Sequence, residues 1–317
     1  MKKIIVLLLL CSLRFSLLAQ QDNNQTFENI PILHGDSIEF PLTLVDAFPL
    51  ISTEVNGIKG KFMFDTGLEA AIQINDNMVK LPRKREVSAG NVGSGQTFKL
   101  NINDTISQVK FNNGVTYRNL LTIKSANYDF LQKNITPDFI GYVGYNFFKG
   151  YIFKLDYLKR KLTFYKNTEQ RKSSKDFLKG EKLLGIIDFE TRRLPNHPIV
   201  KVKIGDVEFI GSFDTGQYGL LQLENEAKKN LMAKAFVNYT GLDGHGDEQV
   251  NVNDLEIGGS FKTALKGIYP FSLEQTAPFR KAIQITEASY ICFGYRFFEQ
   301  YKTVWDYEAK KIYILEK

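Results

Sequence analysis

Phe64-Asp65-Thr66-Gly67 and Phe213-Asp214-Thr215-Gly216 are one tetrapeptide written twice, 149 positions apart. Each copy ends an apolar, strand-like run and is followed by another. That places each carboxylate on a tight turn between buried strands, where an ionisable group is costly to desolvate and is kept when chemistry needs it.

The match extends well beyond the tetrapeptide. At the same offset Pro49-Leu50-Ile51 falls on Pro198-Ile199-Val200, and Ile38-Glu39-Phe40 falls on Ile187-Asp188-Phe189. Further along, Gly144-Tyr145-Asn146-Phe147-Phe148 is echoed by Gly294-Tyr295-Arg296-Phe297-Phe298, and Tyr151 to Tyr157 by Tyr301 to Tyr307. Both halves close on a basic turn and an apolar strand, Lys161-Leu162-Thr163-Phe164 and Lys311-Ile312-Tyr313-Ile314. Such self-similarity marks an internal duplication.

The runs within each half are short, rich in Val, Ile, Phe, Tyr and Thr, and punctuated by Gly, Asn and Asp, so the expected class is all-β and bilobal. Helices are expected only after Asn146, after Arg296 and over Glu224 to Ala235. Lobe 1 is assigned to 31–166 and lobe 2 to 180–317, with the polar, charged stretch 167–179 as the linker.

With 317 residues, 43% of them hydrophobic, the chain has ample material for two domains. Lys2-Lys3 followed by Ile4 to Leu10 reads as a signal peptide over 1–19, cleaved after Ala19, so export to the periplasm or the extracellular space is expected. No later stretch is apolar for long enough to span a membrane, so no integral membrane segment is expected in the mature chain. Cys11 lies inside the signal, and Leu10 before it argues against lipid anchoring there. Cys292 then stands alone, as a small core residue with no disulfide partner. The net charge of +6 is dispersed among 35 acidic residues and argues for solubility rather than for a nucleic-acid groove.

Gly90-x-x-Gly93-x-Gly95 and Gly241-x-x-Gly244-x-Gly246 repeat a second pattern. Neither opens a helix or carries a phosphate-binding lysine, so a phosphate cradle is excluded. Glycines so spaced within strand-forming sequence mark hairpin tips, here expected to act as paired flaps over a cleft, with Gly93, Ser94, Gly95, Gly244, His245 and Gly246 facing substrate. Two ordinary surface hairpins are the alternative.

These features resemble the aspartic peptidases, and more narrowly the retroviral-like aspartic peptidases of bacteria, duplicated within one polypeptide. The resemblance rests on apolar-Phe-Asp-Thr-Gly in both halves, the Gly-rich hairpins downstream, Tyr142-Val143-Gly144 with Cys292-Phe293-Gly294, and the Asp-Tyr strand ends at Asp156-Tyr157 and Asp306-Tyr307. It implies a pepsin- or retropepsin-like fold in which Asp65 and Asp214 meet as a catalytic dyad at the lobe interface. It further implies that Thr66 and Thr215 hydrogen-bond across that interface, and that Gly67 and Gly216 let backbone N–H groups approach the carboxylates. The implied activity is cofactor-free, metal-free endopeptidase action on a polypeptide substrate, by a chain that works as a monomer because it holds both halves. The family usually has Ser or Ala after Asp-Thr-Gly, but Leu68 and Gln217 stand here, and loss of a hydroxyl is expected to raise the dyad's apparent pKa values.

Rival chemistries have little support. None of the three histidines, His34, His197 and His245, lies in a His-Glu-x-x-His pattern, and Ser94 lacks the glycines two residues away on each side that a serine-nucleophile elbow needs. Asp156 and Asp306 read as turn acceptors, and Phe147, Phe148, Phe297 and Phe298 as core. The principal alternative to an enzyme is a non-catalytic peptide-binding protein that keeps the cleft. A structural two-lobe module at the cell envelope is a second.

Overall fold

Alternation of buried and exposed residues builds hairpins in both halves of the chain, seen in a computed structural model that describes residues 26–28, 30–91 and 97–317. In lobe 1, Phe48–Val55 and Ile58–Phe64 pair antiparallel around Asn56-Gly57, both at positive φ, the left-handed turn that suits strand twist. Ile58–Phe64 then lies parallel to Phe139–Val143, with Phe64 opposite Val143, and Phe139–Val143 is antiparallel to Ile72–Asn75. Lobe 2 repeats the arrangement. Val207–Phe213 is parallel to Tyr290–Phe293, with Phe213 opposite Phe293, and Leu220–Gln222 flanks it antiparallel. The nine-stranded sheet of lobe 1 and the seven-stranded sheet of lobe 2 grow outward from these units.

A third sheet joins the halves. Its six strands run in the order Leu183–Asp188, Lys311–Leu315, Lys302–Asp306, Tyr151–Asp156, Lys161–Lys166 and Ser37–Pro41. The central pairing sets Phe153 against Trp305, Lys154 against Val304 and Leu155 against Thr303. Because Phe153 and Thr303 are equivalent in the duplication, as are Leu155 and Trp305, this register is self-complementary and a pseudo-two-fold axis passes through the Lys154–Val304 pair.

Aromatic residues floor the molecule on that axis. Phe153 stacks on Trp305 with ring centroids 5.1 Å apart, Phe64 packs on Phe148 and Phe153, and Phe213 packs on Phe298 and Trp305. One continuous core of buried residues therefore runs through both lobes. Phe147, Phe148, Phe297 and Phe298 all belong to it. Asp156 and Asp306 serve as turn acceptors, capping the N–H groups of Lys159 and of Glu308 and Ala309. Cys292 is free and fully buried.

Helices form at Tyr145–Phe148, Tyr295–Phe298 and Asn225–Ala233, in agreement with the sequence pattern, and the described residues hold three further α-helices that the pattern does not announce. These are Asp129–Asn134, Glu169–Ser174 and Leu273–Ile283. The last opens on a capping box between Ser272 and Gln275 and carries Pro278, a residue that disfavours helix interiors, inside it. The second occupies the expected linker. Arg171 is buried there and bonds Asp36 and Asp176, while Phe177 packs on Tyr313, so the polar composition of 167–179 reflects a built ion cluster rather than a solvated tether. The expected signal segment 1–19 lies outside the described residues. Among the described residues no helix is long and apolar enough to cross a membrane.

Candidate active site

Both Asp-Thr-Gly loops start where an inner strand runs out. The Asp65 N–H still bonds the Val143 carbonyl (2.9 Å) and the Asp214 N–H bonds the Phe293 carbonyl (3.0 Å), so each aspartate leaves its sheet at the same point and the pseudo-axis brings them together. Each carboxylate accepts the N–H two residues on: Gly67 N to Asp65 Oδ1 and Gly216 N to Asp214 Oδ1, both 2.8 Å. The glycines are also required by the opposite lobe. A Cβ on Gly67 would meet the Asp214 carboxyl carbon at 2.8 Å, and one on Gly216 would meet that of Asp65 at 2.7 Å. Each carboxylate thus packs against the other lobe's glycine.

Thr66 and Thr215 lock the loops. The Thr66 N–H donates to Thr215 Oγ1 and the Thr215 N–H donates to Thr66 Oγ1, each at 3.0 Å, and the Thr215 hydroxyl donates in turn to the Phe64 carbonyl (2.8 Å). Both threonines are buried, so these bonds form in a low dielectric and cannot be replaced by water at small cost.

A residue that the sequence reading passed over completes the frame. Asn196, fully buried, reaches from lobe 2 and donates its side-chain amide to the carbonyls of Thr66 (3.0 Å) and Gly67 (2.8 Å), while its main-chain carbonyl accepts the Tyr307 hydroxyl (3.2 Å). The duplication hides it, because the aligned position in lobe 1 is Ala47. The break in the repeat is the signal that could have found it.

Electrostatically the pair is isolated. Burial first, then the Asp214 charge and a hydrogen bond to Asp214, push Asp65 well above the usual carboxylate range. Carboxyls in such contact share one proton and titrate as a unit. The phenols of Tyr128, Tyr142, Tyr157, Tyr290 and Tyr307 are all raised by burial and stay neutral. The Cys292 thiol is raised for the same reason. His197, buried and facing the Gly67 carbonyl, is lowered by burial and is neutral too. The residues after the two glycines act through their main chains: the Leu68 carbonyl accepts the Tyr145 N–H (2.8 Å) and the Gln217 carbonyl accepts the Tyr295 N–H (2.9 Å). The Leu68 side chain packs on the apolar cluster containing Tyr128, Phe139 and Tyr142.

Of the expected flap residues, Gly93, Ser94 and Gly95 lie outside the described residues. The flanking strands Arg85–Asn91 and Thr97–Phe111 do form a hairpin. In lobe 2, Gly244, His245 and Gly246 form the tip between Val237–Leu242 and Glu248–Ile257, with Gly246 at positive φ. His245 is exposed, and its main-chain N–H is taken by Asp243. Asp243 also accepts the Tyr269 hydroxyl (2.7 Å), which holds its carboxyl down to about 2. Tyr269 packs on Tyr218, one residue beyond Gln217, with ring centroids 5.1 Å apart. The tip is therefore hooked to the loop that carries Asp214, a restraint that its glycines alone did not suggest. Among the described residues no cluster of His, Cys, Asp and Glu is placed to hold a metal ion. A groove of about 840 Å³ on lobe 2, walled by Phe189, Ile199 and Phe209, touches neither aspartate.

No family model and no curated protein matches the chain. Solved structures do. Basic 7S globulin from soybean superposes with a TM-score of 0.51 at 9% identity, over 88% of this chain and 95% of that one. The aspartic proteinase from Irpex lacteus superposes with a TM-score of 0.50 at 12% identity, over 89% and 97%. The fold is thus the all-β, bilobal fold of the pepsin-like aspartic proteinases. One of these neighbours is named as a proteinase and the other as a globulin, so activity rests on the site.

Proposed function

We propose that the protein is an aspartic endopeptidase of the duplicated, retroviral-like kind, exported and acting as a monomer on polypeptide substrates. The observation that carries this reading is the meeting of Asp65 and Asp214 in one buried, Thr66–Thr215-locked frame whose surroundings are all neutral. A binding protein needs neither carboxylate, and two carboxyls pressed together, Asp214 buried and Asp65 partly so, cost stability unless they react. The ionised member of the pair takes a proton from water as that water attacks the peptide carbonyl. The protonated member donates to the carbonyl oxygen as it gains charge, and the proton then passes to the leaving amine. No covalent intermediate forms. The apolar cluster beside Leu68 suits a large apolar side chain next to the scissile bond. With Leu68 and Gln217 supplying no hydroxyl to the anionic pair, activity peaks at weakly acidic rather than strongly acidic pH.

Incubation with a denatured protein tests this, with and without a statine-type transition-state mimic and in ¹⁸O-labelled water. Cleavage that the mimic blocks and that leaves ¹⁸O in the new carboxyl termini supports the proposal. Tight binding of the mimic with no cleavage at any pH between 3 and 8 would make the chain a peptide-binding protein instead.

A further inference from the structure

We propose that Asn196 is a positioning residue that makes the two halves of the dyad unequal: its amide polarises, on the lobe 1 side alone, the peptide groups whose N–H donors face Asp65. This rests on the peptidase reading above. The Thr66 carbonyl that accepts from Asn196 belongs to the same peptide unit as the Gly67 N–H, which donates to Asp65 Oδ1. The Gly67 carbonyl, Asn196's second acceptor, belongs to the same unit as the Leu68 N–H. That N–H bonds the Asp65 main-chain carbonyl at 3.2 Å and lies close enough to the carboxylate to favour its charged form. One side chain therefore heads two relays, each passing through a single peptide group to the same acid. Hydrogen bonds in series strengthen one another, most of all where the dielectric is low.

Lobe 2 has no equivalent. Ala47 aligns with Asn196, and among the described residues no side chain bonds the carbonyls of Thr215 and Gly216. Yet the bond from Gly216 N to Asp214 has the same 2.8 Å length as that from Gly67 N to Asp65, so the lobes form an internal control. The orientation of Asn196 is not arbitrary, since its oxygen, turned toward two carbonyls, would repel them. Asp65 faces Asp214, Tyr128, Tyr142 and Tyr307, and Asp214 further faces Tyr157, Tyr290 and Cys292, phenols and a thiol that burial keeps neutral. His197, which faces both Asp214 and the Gly67 carbonyl, is held below its ordinary value by burial. Asn196 thus opposes, on one side, the push that burial exerts on the pair, and favours Asp65 as the member that carries the negative charge and acts as base.

The test is an amide proton spectrum of ¹⁵N-labelled wild-type protein, followed by Asn196→Ala. In the wild type, the Gly67 amide proton resonates downfield of Gly216; equal shifts would overturn the proposal even if the variant failed to fold. In Asn196→Ala, Gly67 moves upfield and the lower apparent pKa of the pair rises by about half a pH unit. That value is read from carboxyl-carbon shifts of labelled aspartate and, independently, from the acid limb of kcat/KM. A folded variant that loses activity with both titrations unchanged would make Asn196 merely structural and refute the idea. If the wild type cleaves nothing, the peptidase reading fails while both spectroscopic readouts still decide the role of Asn196.

Discussion

Replacing Thr215 by valine keeps the shape of the side chain and removes only its hydroxyl, so the loss reports on the inter-lobe lock. Two buried partners are orphaned together, the Thr66 N–H that the hydroxyl accepted at 3.0 Å and the Phe64 carbonyl to which it donated at 2.8 Å. Each buried, unsatisfied polar group costs about 1–3 kcal/mol, so Thr215→Val should lose about 3 kcal/mol. Thr66→Val orphans the Thr215 N–H alone and should lose about half as much. Thr215→Ser keeps the hydroxyl and should stay within about 1 kcal/mol of wild type. Trp305 is the only tryptophan, is fully buried, and lies in the sheet that joins the lobes, so its fluorescence during urea unfolding reads the right event. A cost for Thr215→Val below about 1 kcal/mol, or one smaller than that of Thr66→Val, would show that the loops are not held by this bond pair.

Other outcomes follow from the electrostatics. Burial raises Asp65 within a pair that shares one proton, so the folded pair keeps a proton that the unfolded chain releases above its ordinary value of 3.8; stability is full below 3.8 and lost as pH rises through the folded value of the pair. Asp65→Asn should accordingly raise Tm by about 2–4 °C per kcal/mol relieved at pH 7 and have little effect at pH 3, in paired thermal scans. His197 runs the other way: its folded value lies below 6.5, so stability is full above 6.5 and falls as the pH drops below it, and His197→Gln should flatten that slope in denaturant titrations at pH 7.5 and 5. Tyr269→Phe unhooks the lobe 2 tip, so amide exchange at Gly244–Gly246 should speed up about tenfold and the Asp243 carboxyl should rise from about 2 toward its ordinary value of 3.8.

Duplication made the site legible. An Asp-Thr-Gly on a strand end is ambiguous alone, but its second copy, with Phe147-Phe148 and Phe297-Phe298 trailing at matching distances, fixed the strand, the loop and the aromatic floor together. What escaped the sequence is what departs from the repeat or reverses a local rule. Asn196 aligns with alanine, so comparison of the halves passes over it. Arg171 looks like one more solvated cation until Asp36, distant in sequence, closes around it. The helix Leu273–Ile283 carries a proline that argues against it, and tertiary packing of Thr276, Arg280 and Ile283 outweighs that preference. The hook on the lobe 2 tip depends on the Tyr269 hydroxyl reaching Asp243, a contact that only the fold defines.

Peptide cleavage by Asp65→Asn, Asp214→Asn and the double variant, measured side by side, tests the central claim most directly. Two carboxyls that share one proton form a single unit, so each single variant should be as inactive as the double, at least about a thousandfold below wild type. An equimolar mixture of the two single variants should stay inactive, because one chain supplies both halves. Losses that add from single to double, or a single variant that keeps a tenth of wild-type activity, would show that Asp65 and Asp214 do not work as one dyad.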